Sequence, residues 1–439
     1  MLDSQEDGYD ISWYNDDKDS FEITNAEQLR GLAQLVNGTA VTSGAAITSG
    51  TAIEAKDFSG KTITLGADID LENKEWIPVG TSDASKFNGC FNGNDKTIFG
   101  LYINRVGTNL GLFGYIDSTA EIKNLTVRGS VTETSAKGSN STCVGGIVGY
   151  VNGAAKLTKL TNYSDVTMSR NYAGGIAGYV NGSAVLTGCH NYGNVSAFQY
   201  AGGIVGYSTS VTVSESTNYG NITDTDGHSG GIAAIISNGK IEDCINEGEI
   251  SGGNIKGGIV SRMGEGTVNR CTNKGRVEFS NNSWAGGIVG DFSGAGKITN
   301  CINEGDVYPG GGTTAYLGGI LGGSSYWSGA IITGNSNSGT IGNESFKGYA
   351  GGIIGNGTGS VNIENNCNMG KMLYEDGKYI GGIAGDLPAA SSIKKSFSYC
   401  LNGLNDGEAS FGLLGFGSNG TVTNSFYLSE KKVTGFYTI

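Results

Sequence analysis

The sequence predicts an all-β fold, a parallel β-helix in which the chain winds as a solenoid behind one short N-terminal capping helix. The first observation is a glycine-centred heptad, Ala201–Tyr207 (AGGIVGY), that recurs along the chain at intervals of 27 (Gly231 to Gly258) to 35 (Gly111 to Gly146) residues. A period in this range indicates a repeat architecture. The second glycine of the heptad marks the copies: Gly111, Gly146, Gly175, Gly203, Gly231, Gly258, Gly287, Gly319, Gly352, Gly382 and Gly412.

The second observation is another module that lies between successive heptads. Its clearest copies are Cys189–Val195 (CHNYGNV), Cys244–Ile250 (CINEGEI), Cys271–Val277 (CTNKGRV) and Cys301–Val307 (CINEGDV). Short β-branched runs separated by Gly, Asn and Asp are typical of strands joined by tight turns. A propeller blade would need about 40 residues or more, and a leucine-rich repeat would need a leucine frame. One coil of a parallel β-helix per repeat therefore fits best.

Composition and charge exclude several other classes. The 439 residues include 77 Gly but 3 Pro without a Gly-X-Y triplet, which excludes collagen. A hydrophobic content of 38% argues against disorder. The formal net charge of −13 argues against a nucleic-acid partner, because binding of phosphates needs clustered Lys and Arg. No apolar run approaches the roughly 18 to 20 residues of a membrane span, so membrane insertion is not expected.

Four regions are expected along the chain. Residues 1–55 form an N-terminal acidic segment, a capping helix and a loop, residues 56–142 the first coils, residues 143–416 the regular coils, and residues 417–439 the C-terminal strands or end cap. The start of the sequence is polar and acidic rather than a signal peptide, so we expect a mature fragment with an added Met. The sequence ends without a clear stop, and we expect that the natural chain continues.

The N-terminal region contains an acidic run and one amphipathic pattern. Asp16, Asp17 and Asp19 could hold Ca²⁺, but the turn glycine and bidentate Glu of an EF-hand are missing, and a solvated charge run is the alternative. No other cofactor is expected. Thr24 and Glu27 form a predicted capping box, and residues 21–37 are interpreted as a helix that covers the open end of the solenoid. Residues 39–55 are interpreted as a surface excursion.

The glycine heptads and their Asn-x-Gly partners resemble GLUG-motif repeat proteins of bacterial surfaces. An early pattern, from Ala67 to Phe91, resembles that family as well. The resemblance implies a right-handed, pectin-lyase-like β-helix on an exported protein, often one assigned to adhesion and sometimes placed beside IgA-specific metallopeptidase domains. The metallopeptidase segment His-Glu-x-x-His does not occur in the sequence, so that activity is not implied.

Equivalent residues of neighbouring coils are expected about 5 Å apart, so that each repeat position becomes a column. One column is asparagine, which we expect to occupy a left-handed turn and to bond the amides above and below it. Another holds Cys189, Cys244, Cys271 and Cys301, interrupted by Ser216, and predicts buried free thiols rather than disulfides. Two outward columns, which carry Lys274 and Arg276 between acidic coils, predict ion-pair ladders.

Aromatic residues precede most of the double glycines. Such rings could stack on the rings of a glycan, or they could stack on one another and cover the glycine-rich backbone. A second row, Tyr115, Tyr150, Tyr179 and Tyr207, has the same two interpretations. The predicted ligand-binding residues are those of the first row, which Ile255 interrupts: Tyr172, Tyr200, His228, Trp284, Tyr316, Tyr349 and Tyr379.

Candidates for catalysis are few. With two histidines, His190 and His228, a catalytic triad or a multi-histidine zinc site is poorly supported. The closest candidates are Glu215, Asp243 and Arg270, which share a column on consecutive coils. Two carboxylates near 5 Å apart could act as a glycosidase pair or bind Ca²⁺, and the alternative is an ordinary charged surface row.

The sequence therefore predicts a secreted or cell-surface β-helix without catalysis, an adhesin-like binding surface or stalk. The expected partners are glycans or surface proteins of host or neighbouring cells. Two alternatives remain open at this point: a polysaccharide-active hydrolase or lyase on the same scaffold, and a purely structural spacer.

Overall fold

The computed structural model describes residues 8–38, 53–135, 142–280, 283–310, 315–324, 329–375, 379–400, 412–415 and 420–429. These residues form a parallel β-solenoid of about eleven turns with one short α-helix, which confirms the predicted fold class. Most of the predicted surface excursion, residues 39–52, lies outside the described residues.

The N-terminal part contains the helix and the first strands: β1 (Ser20–Ile23), α1 (Ala26–Asn37), β2 (Thr62–Leu65), β3 (Ile69–Asp70), β4 (Cys90–Arg105), β5 (Asn109–Leu110), β6 (Phe113–Ile116) and β7 (Glu121–Glu133). The next four turns comprise β8 (Cys143–Gly145), β9 (Val148–Asn152), β10 (Lys156–Asn162), β11 (Asp165–Met168), β12 (Tyr172–Gly174), β13 (Ala177–Thr187), β14 (His190–Asn191), β15 (Val195–Ala197), β16 (Tyr200–Gly202), β17 (Val205–Ser214), β18 (Thr217–Asn218), β19 (Ile222–Asp224), β20 (His228–Gly230), β21 (Ala233–Glu242), β22 (Ile245–Asn246) and β23 (Ile250–Gly252).

The remaining turns carry β24 (Ile255–Gly257), β25 (Val260–Met263), β26 (Gly266–Asn269), β27 (Thr272–Asn273), β28 (Val277–Phe279), β29 (Trp284–Gly286), β30 (Val289–Phe292), β31 (Gly296–Thr299), β32 (Ile302–Asn303), β33 (Val307–Pro309), β34 (Tyr316–Gly318), β35 (Leu321–Ser324), β36 (Ala330–Thr333), β37 (Ser336–Asn337), β38 (Ile341–Gly342), β39 (Tyr349–Gly351), β40 (Ile354–Gly357), β41 (Val361–Glu364), β42 (Cys367–Asn368), β43 (Met372–Leu373), β44 (Ile380–Gly381), β45 (Ala384–Asp386), β46 (Ser392–Lys394), β47 (Phe397–Cys400), β48 (Thr421–Thr423) and β49 (Phe426–Ser429).

Successive turns are stacked in parallel and in register. The strands that begin each heptad form one ten-stranded sheet from β5 to β44, and the other strands form the sheet that wraps the rest of each turn. Tyr200 of β16, for example, pairs with Tyr172 before it and His228 after it. Because neighbouring strands lie about 4.8 Å apart, a residue at a fixed repeat position meets its counterpart in the next turn.

Helix α1 closes the N-terminal end of the solenoid. Asn37 fixes the end of the helix to the first turns, since its Nδ2 donates to the carbonyl of Pro78 at 2.9 Å and its Oδ1 accepts from the amide of Gly80 at 2.9 Å. The apolar face of α1 packs on the end of the solenoid and shields core residues there from water. Five apolar side chains of the helix lie in the solenoid core: Leu29, Leu32, Ala33, Leu35 and Val36.

The predicted start of the helix is wrong. Asn25, not Thr24, is the N-cap, and its Oδ1 accepts from the amide of Gln28 at 2.9 Å. The side chain that reaches back is Gln28, whose Oε1 accepts from the amide of Thr24 at 2.9 Å, rather than Glu27. The first residues of the predicted 21–37 segment belong instead to β1, which alternates buried and exposed side chains and pairs with β2.

The asparagine column is a continuous buried ladder. From Asn162 to Asn337, each Nδ2 donates to Oδ1 of the next asparagine at 2.7–2.9 Å and to the carbonyl two residues ahead at 2.8–3.1 Å. These two bonds satisfy both hydrogens of an amide that is fully shielded from water. The last asparagine, Asn368, accepts from Asn337 and donates to Oγ of Ser398 at 3.3 Å. The predicted amide-to-amide bonding is therefore confirmed for the column: Asn162, Asn191, Asn218, Asn246, Asn273, Asn303, Asn337 and Asn368.

The predicted left-handed backbone at these asparagines is wrong. The asparagines lie in paired strands, as Asn191 does with Asn218, and their side chains enter the core. A positive φ occurs instead three residues earlier, at the corner that precedes each asparagine strand. These corner residues are Lys159, Gly188, Glu215, Asp243, Arg270, Asn300, Gly334 and Asn365, and the same corner continues at Lys395 and Asn424, where Ser398 and Tyr427 follow in place of asparagine.

The double glycine gives the asparagine ladder its space. A Cβ on Gly203 would lie 2.0 Å from the carbonyl oxygen of Gly231 and 2.4 Å from Cγ of Asn218. Both separations are far below a carbon van der Waals contact. The heptad backbone therefore packs directly on the buried amides, which a side chain at this position would prevent.

The cysteine column agrees with its prediction. Cys189, Cys244, Cys271 and Cys301 are buried free thiols. Ser216, which interrupts them, is also buried, and its Oγ accepts from the amide of Cys189 at 3.1 Å. The column thus supplies small side chains that can accept a weak hydrogen bond from the turn before.

Candidate binding surface

The first aromatic column stacks on itself in two segments. In the first, ring centroids are 5.2 Å apart between Tyr172 and Tyr200 and 5.5 Å apart between Tyr200 and His228, with nearly parallel planes. Ile255 interrupts the column, and Trp284 then begins the second segment. All seven predicted ligand-binding residues are half-buried members of this column: Tyr172, Tyr200, His228, Trp284, Tyr316, Tyr349 and Tyr379.

The second segment is less regular at its start. The indole of Trp284 is tilted by 58° to the ring of Tyr316 at 6.1 Å, whereas Tyr316, Tyr349 and Tyr379 stack at 5.1 and 4.3 Å. A Cβ added to Gly323 would contact the indole at 3.6 Å, so Trp284 covers backbone where the adjacent column has no side chain. This contact agrees with the predicted protection of glycine-rich backbone.

The second aromatic column joins the first. Tyr115, Tyr150, Tyr179 and Tyr207 stack at 4.8 to 5.1 Å. Tyr172 meets the rings of Tyr179 and Tyr207 at 5.1 and 5.0 Å across the heptad turn. The two columns therefore form one surface, which we name the aromatic strip and define by its eleven rings: Tyr115, Tyr150, Tyr172, Tyr179, Tyr200, Tyr207, His228, Trp284, Tyr316, Tyr349 and Tyr379.

Stacking determines which part of each ring a ligand can reach. Tyr150 lies between Tyr115 and Tyr179, and Tyr200 lies between Tyr172 and His228, so both faces of these rings are covered. Ring edges and phenol groups remain for contact along the strip. Burial raises the pKa of Tyr172 and Tyr179 to about 12, which keeps their phenols protonated and able to donate hydrogen bonds.

Charged groups lie where the aromatic columns are interrupted. Arg262 follows Tyr207 and Ile235 in the second column, and its Nε donates to Oδ2 of Asp291 at 2.9 Å. The Asp291 side chain is fully buried, whereas that of Arg262 is one-third exposed. Burial, together with the nearby cations, lowers the pKa of His228 to about 3, so the ring is a neutral part of the strip.

A third tyrosine column lies at another corner of the solenoid. Tyr163, Tyr192 and Tyr219 stack at 4.5 and 4.4 Å, and the Arg128 guanidinium lies 3.9 Å from the Tyr163 ring centroid. Its three members are 37–42% exposed. In the next turns this column continues with Glu247 and its partners, so the aromatic part spans three turns.

The ion-pair prediction holds for one of the two outward columns. Lys274 pairs with Glu247 of the preceding turn at 2.9 Å. Arg276, however, pairs with Glu278 of its own turn at 3.1 Å and lies over the Tyr308 ring at 4.5 Å. The guanidinium thus contacts Glu278 and the Tyr308 ring of the next turn rather than the acidic residues where we had predicted a partner.

The three weak catalytic candidates occupy the positive-φ corners. Glu215, Asp243 and Arg270 have φ values of 52°, 55° and 51°. Arg270 binds Asp243 through two hydrogen bonds of 2.7 and 2.6 Å. The guanidinium lowers the pKa of the Asp243 carboxyl, which favours an ionised surface carboxylate over a general acid. The arrangement is that of a surface ion pair on a strained corner.

Sequence reasoning missed a buried polar cluster inside the solenoid. The side chains of Lys256 and Asp224 are both fully buried, and Nζ lies 2.5 Å from Oδ1. Ser229 and Ser261 are buried beside them. The available signal was the lysine itself, because Lys256 stands at a heptad position where the neighbouring repeats carry Ser229 and Ala285.

Across the described residues, no group of three or more His, Cys, Asp or Glu side chains is placed to hold a metal ion. Asp16 of the acidic run contacts Lys56 at 3.2 Å, and Asp19 lies 3.8 Å from Lys61. No helix within the residues that the structure describes has the length and apolarity needed to cross a membrane.

One open cavity lies at the N-terminal end. It has a volume of about 320 Å³ and lies between α1 and the turn that carries Trp76. Its wall combines apolar and charged side chains, including Tyr9, Arg30, Ile77 and Arg105.

Comparison with known proteins gives limited matches. No family model matches the chain. Over 68 residues the chain is 40% identical to a protein of Evansella cellulosilytica that is provisionally named a Gly-rich membrane protein. This match covers 15% of the chain and 8% of the relative's length. A crystal structure from Bacteroides ovatus, provisionally named an immunoglobulin A1 protease, aligns over 95% of this chain and 86% of that chain with 17% identity and a TM-score of 0.25, a value that carries no argument about fold or activity.

Proposed function

We propose that this chain is a non-catalytic β-solenoid of the GLUG-repeat type that binds linear glycans along its aromatic strip. The observation that carries the proposal is the strip itself, in which partly exposed rings recur at the same repeat positions of successive turns on either side of the interruption at Ile255. A linear polysaccharide presents the same groups at regular intervals, so a repeating surface can contact several sugar units at once. Several weak contacts then act together on one polymer.

The chemistry of the strip supports a sugar ligand. Ring edges offer apolar contact to the C–H faces of a sugar, and protonated phenols exchange hydrogen bonds with its hydroxyls. Arg262, at the interruption of the columns, adds a partly exposed cation that can donate hydrogen bonds to a sugar hydroxyl or carboxylate. Because the interior ring faces are already covered, we propose lateral contact along the strip rather than sugar rings inserted between side chains.

We place the protein at the bacterial cell surface or in the secreted fraction. The resemblance to surface repeat proteins supports this location, as does the short likeness to a relative named a membrane protein. A rod of stacked turns would hold its glycan-binding strip away from the cell and would also serve as a stalk. Proteins of host or neighbouring cells are then encountered through the glycans they carry.

The proposal is tested by binding measurements with a panel of neutral glucans, xylan, polygalacturonate and mucin glycans. We expect binding to at least one of them, and we expect the Tyr200→Ala, Trp284→Ala double variant to lose at least about tenfold in affinity, or about 1.4 kcal/mol. The matched control is the Tyr192→Ala, Tyr219→Ala variant at the other corner, which should bind within about twofold of the wild type.

Three outcomes would overturn the proposal. Absence of binding across the panel would favour a structural spacer, and equal losses in both double variants would remove the aromatic strip as the site. Release of oligosaccharides from a polysaccharide, abolished by Glu215→Gln or Asp243→Asn, would establish the enzymatic alternative.

A further inference from the structure

The buried pair of Lys256 and Asp224 joins two consecutive turns inside the solenoid. Asp224 ends β19, whereas Lys256 lies in β24 of the next turn, and Nζ of the lysine reaches back to Oδ1 of the aspartate at 2.5 Å. Both side chains have zero exposure. Two ions enclosed in this way carry a large desolvation cost, which their mutual attraction repays only in part. Burial accordingly lowers the pKa of Lys256, and the attraction of Asp224 opposes that change.

The groups around the carboxyl are arranged as in an acyl-transfer site. The amide of Gly227 donates to Oδ2 of Asp224 at 2.6 Å, and the hydroxyl of Ser229 donates to Oδ1. Hydrogen-bond donors on a carboxyl oxygen stabilise the negative charge that develops when a nucleophile adds to the carbon. On the lysine side, Nζ lies 3.3 Å from the carbonyl oxygen of Gly227 and 3.4 Å from that of Ile255. These two carbonyls can accept the N–H of an amide formed at Nζ.

We infer that Lys256 and Asp224 are the precursors of an intramolecular isopeptide bond that fastens two turns of the solenoid together. In the first step, the ammonium group transfers a proton to the carboxylate, which leaves a neutral amine beside a neutral carboxylic acid. The lysine Nζ then adds to Cγ of Asp224, and the Gly227 amide stabilises the oxyanion on Oδ2.

Collapse of this intermediate breaks the bond between Cγ and Oδ1. Oδ1 leaves as water with the second proton of the amine, and the Ser229 hydroxyl supports its departure. The net change is one ammonium and one carboxylate converted to one amide and one water, with no oxidant, reductant or co-reactant. A neutral amide then replaces two buried ions, so the desolvation cost that opposes the ion pair favours the product.

The inference is tested by mass spectrometry of the purified, denatured full chain. We expect the wild type to be lighter than its sequence mass by one water molecule. Trypsin should leave the peptides 171–240 and 241–262 joined, without cleavage after Lys256, because an acylated lysine is not a trypsin site. A chain at full sequence mass, with separate peptides and cleavage after Lys256, would overturn the inference.

Two variants separate the isopeptide from a cyclic imide at Asp226-Gly227, which would also lose one water. Lys256→Met should restore the full sequence mass, whereas Asp226→Glu should keep the loss. The reverse pattern would show that the imide accounts for the missing water. The wild-type digest decides the question by itself even where Lys256→Met fails to fold, because joined peptides 171–240 and 241–262 require a bond between them.

Ser229 acts in this scheme as a positioning residue. In Ser229→Ala the joined fraction of freshly purified protein should fall and should then rise with time, a change of rate that a merely structural serine would not produce. A joined fraction equal to that of the wild type at all times would remove Ser229 from the scheme. Neither result depends on glycan binding.

Discussion

Nδ2 of Asn246 donates a hydrogen bond to Oδ1 of Asn273, the equivalent residue of the next turn, at 2.8 Å. The same nitrogen donates to the carbonyl of Gly248 at 2.9 Å, so both of its hydrogens are used. Since each asparagine from Asn162 to Asn337 is bound to the next one in this way, the ladder ties the register of one turn to that of the next. A change at one rung therefore leaves unpaired polar groups on two others.

We expect Asn273→Asp to destabilise the solenoid by about 3 to 5 kcal/mol. A carboxylate cannot donate, so it would place a buried negative charge against the oxygens of Gly275 and Asn303 that now accept from Asn273. The shift of the guanidinium chloride unfolding midpoint measures the effect. Lys274→Ala, at the exposed neighbouring residue, is the control and should change the free energy of unfolding by less than about 0.5 kcal/mol. Equal midpoints for the two variants would contradict the role of the ladder.

Gly203→Ala should cost about 3 kcal/mol of stability, because its Cβ would overlap both the backbone of the next turn and Asn218. The matched control is Gly323→Ala. A Cβ at that glycine would meet its nearest atom at 3.4 Å, an ordinary contact. Thermal unfolding of the two variants should therefore show a large decrease in Tm for the first and little change for the second. Similar decreases in both would show that the close packing of heptad on asparagine is not decisive.

Acid should destabilise the protein through His228. The pKa of His228 is about 3 in the folded chain and 6.5 in the unfolded chain. As the pH falls from 6.5 to 3, the imidazole is therefore protonated in the unfolded chain but stays neutral in the folded chain. This difference in protonation lowers the free energy of unfolding by about 3 kcal/mol between pH 7 and pH 4. His228→Tyr, which keeps an aromatic ring in the column, should lose less stability over that interval. An identical pH dependence in the variant and the wild type would contradict the burial of His228.

The thiols inside the solenoid should be unreactive until it unfolds. Burial raises the pKa of Cys189 to about 12, which lowers its thiolate fraction at neutral pH by roughly 1,000-fold. Native alkylation followed by peptide mapping should label the partly exposed Cys90 and Cys367 well before Cys189. All three should react once guanidinium chloride unfolds the chain. Rapid native labelling of Cys189 would show that the column is open to solvent.

The periodicity of the sequence was sufficient to predict the architecture. The spacing of the double glycines and of the Asn-x-Gly modules predicted the stacked turns, the amide-to-amide bonding of the asparagines and the buried free thiols, because parallel coils bring equivalent residues together. The left-handed backbone was predicted at the asparagines, whereas the positive φ lies three residues before them. Asn, Glu, Asp and Arg all occupy that corner, from Glu215 to Asn300, so residue type alone does not identify the position.

Contacts that depend on side-chain conformation could not be predicted from the sequence. The pattern placed Arg276 between two acidic coils, yet its guanidinium pairs with Glu278 of its own turn and lies over the Tyr308 ring of the next turn. Likewise, the two aromatic columns were separate rows in the sequence, and the tight heptad turn brings Tyr172 against Tyr207 to form one strip. The partner of Lys256 could not be read from spacing either, because Asp224 lies on a different strand of the preceding turn.

The chain-length dependence of glycan affinity tests the central proposal most directly. Isothermal titration of the wild type with oligosaccharides of increasing length, drawn from whichever polysaccharide binds, compares one sugar unit with several. A strip that repeats once per turn should give a Kd that falls steadily as each unit is added, until the ligand spans the stacked rings from Tyr172 to His228. A Kd that is independent of length, or a failure to bind any oligosaccharide, would contradict the proposal.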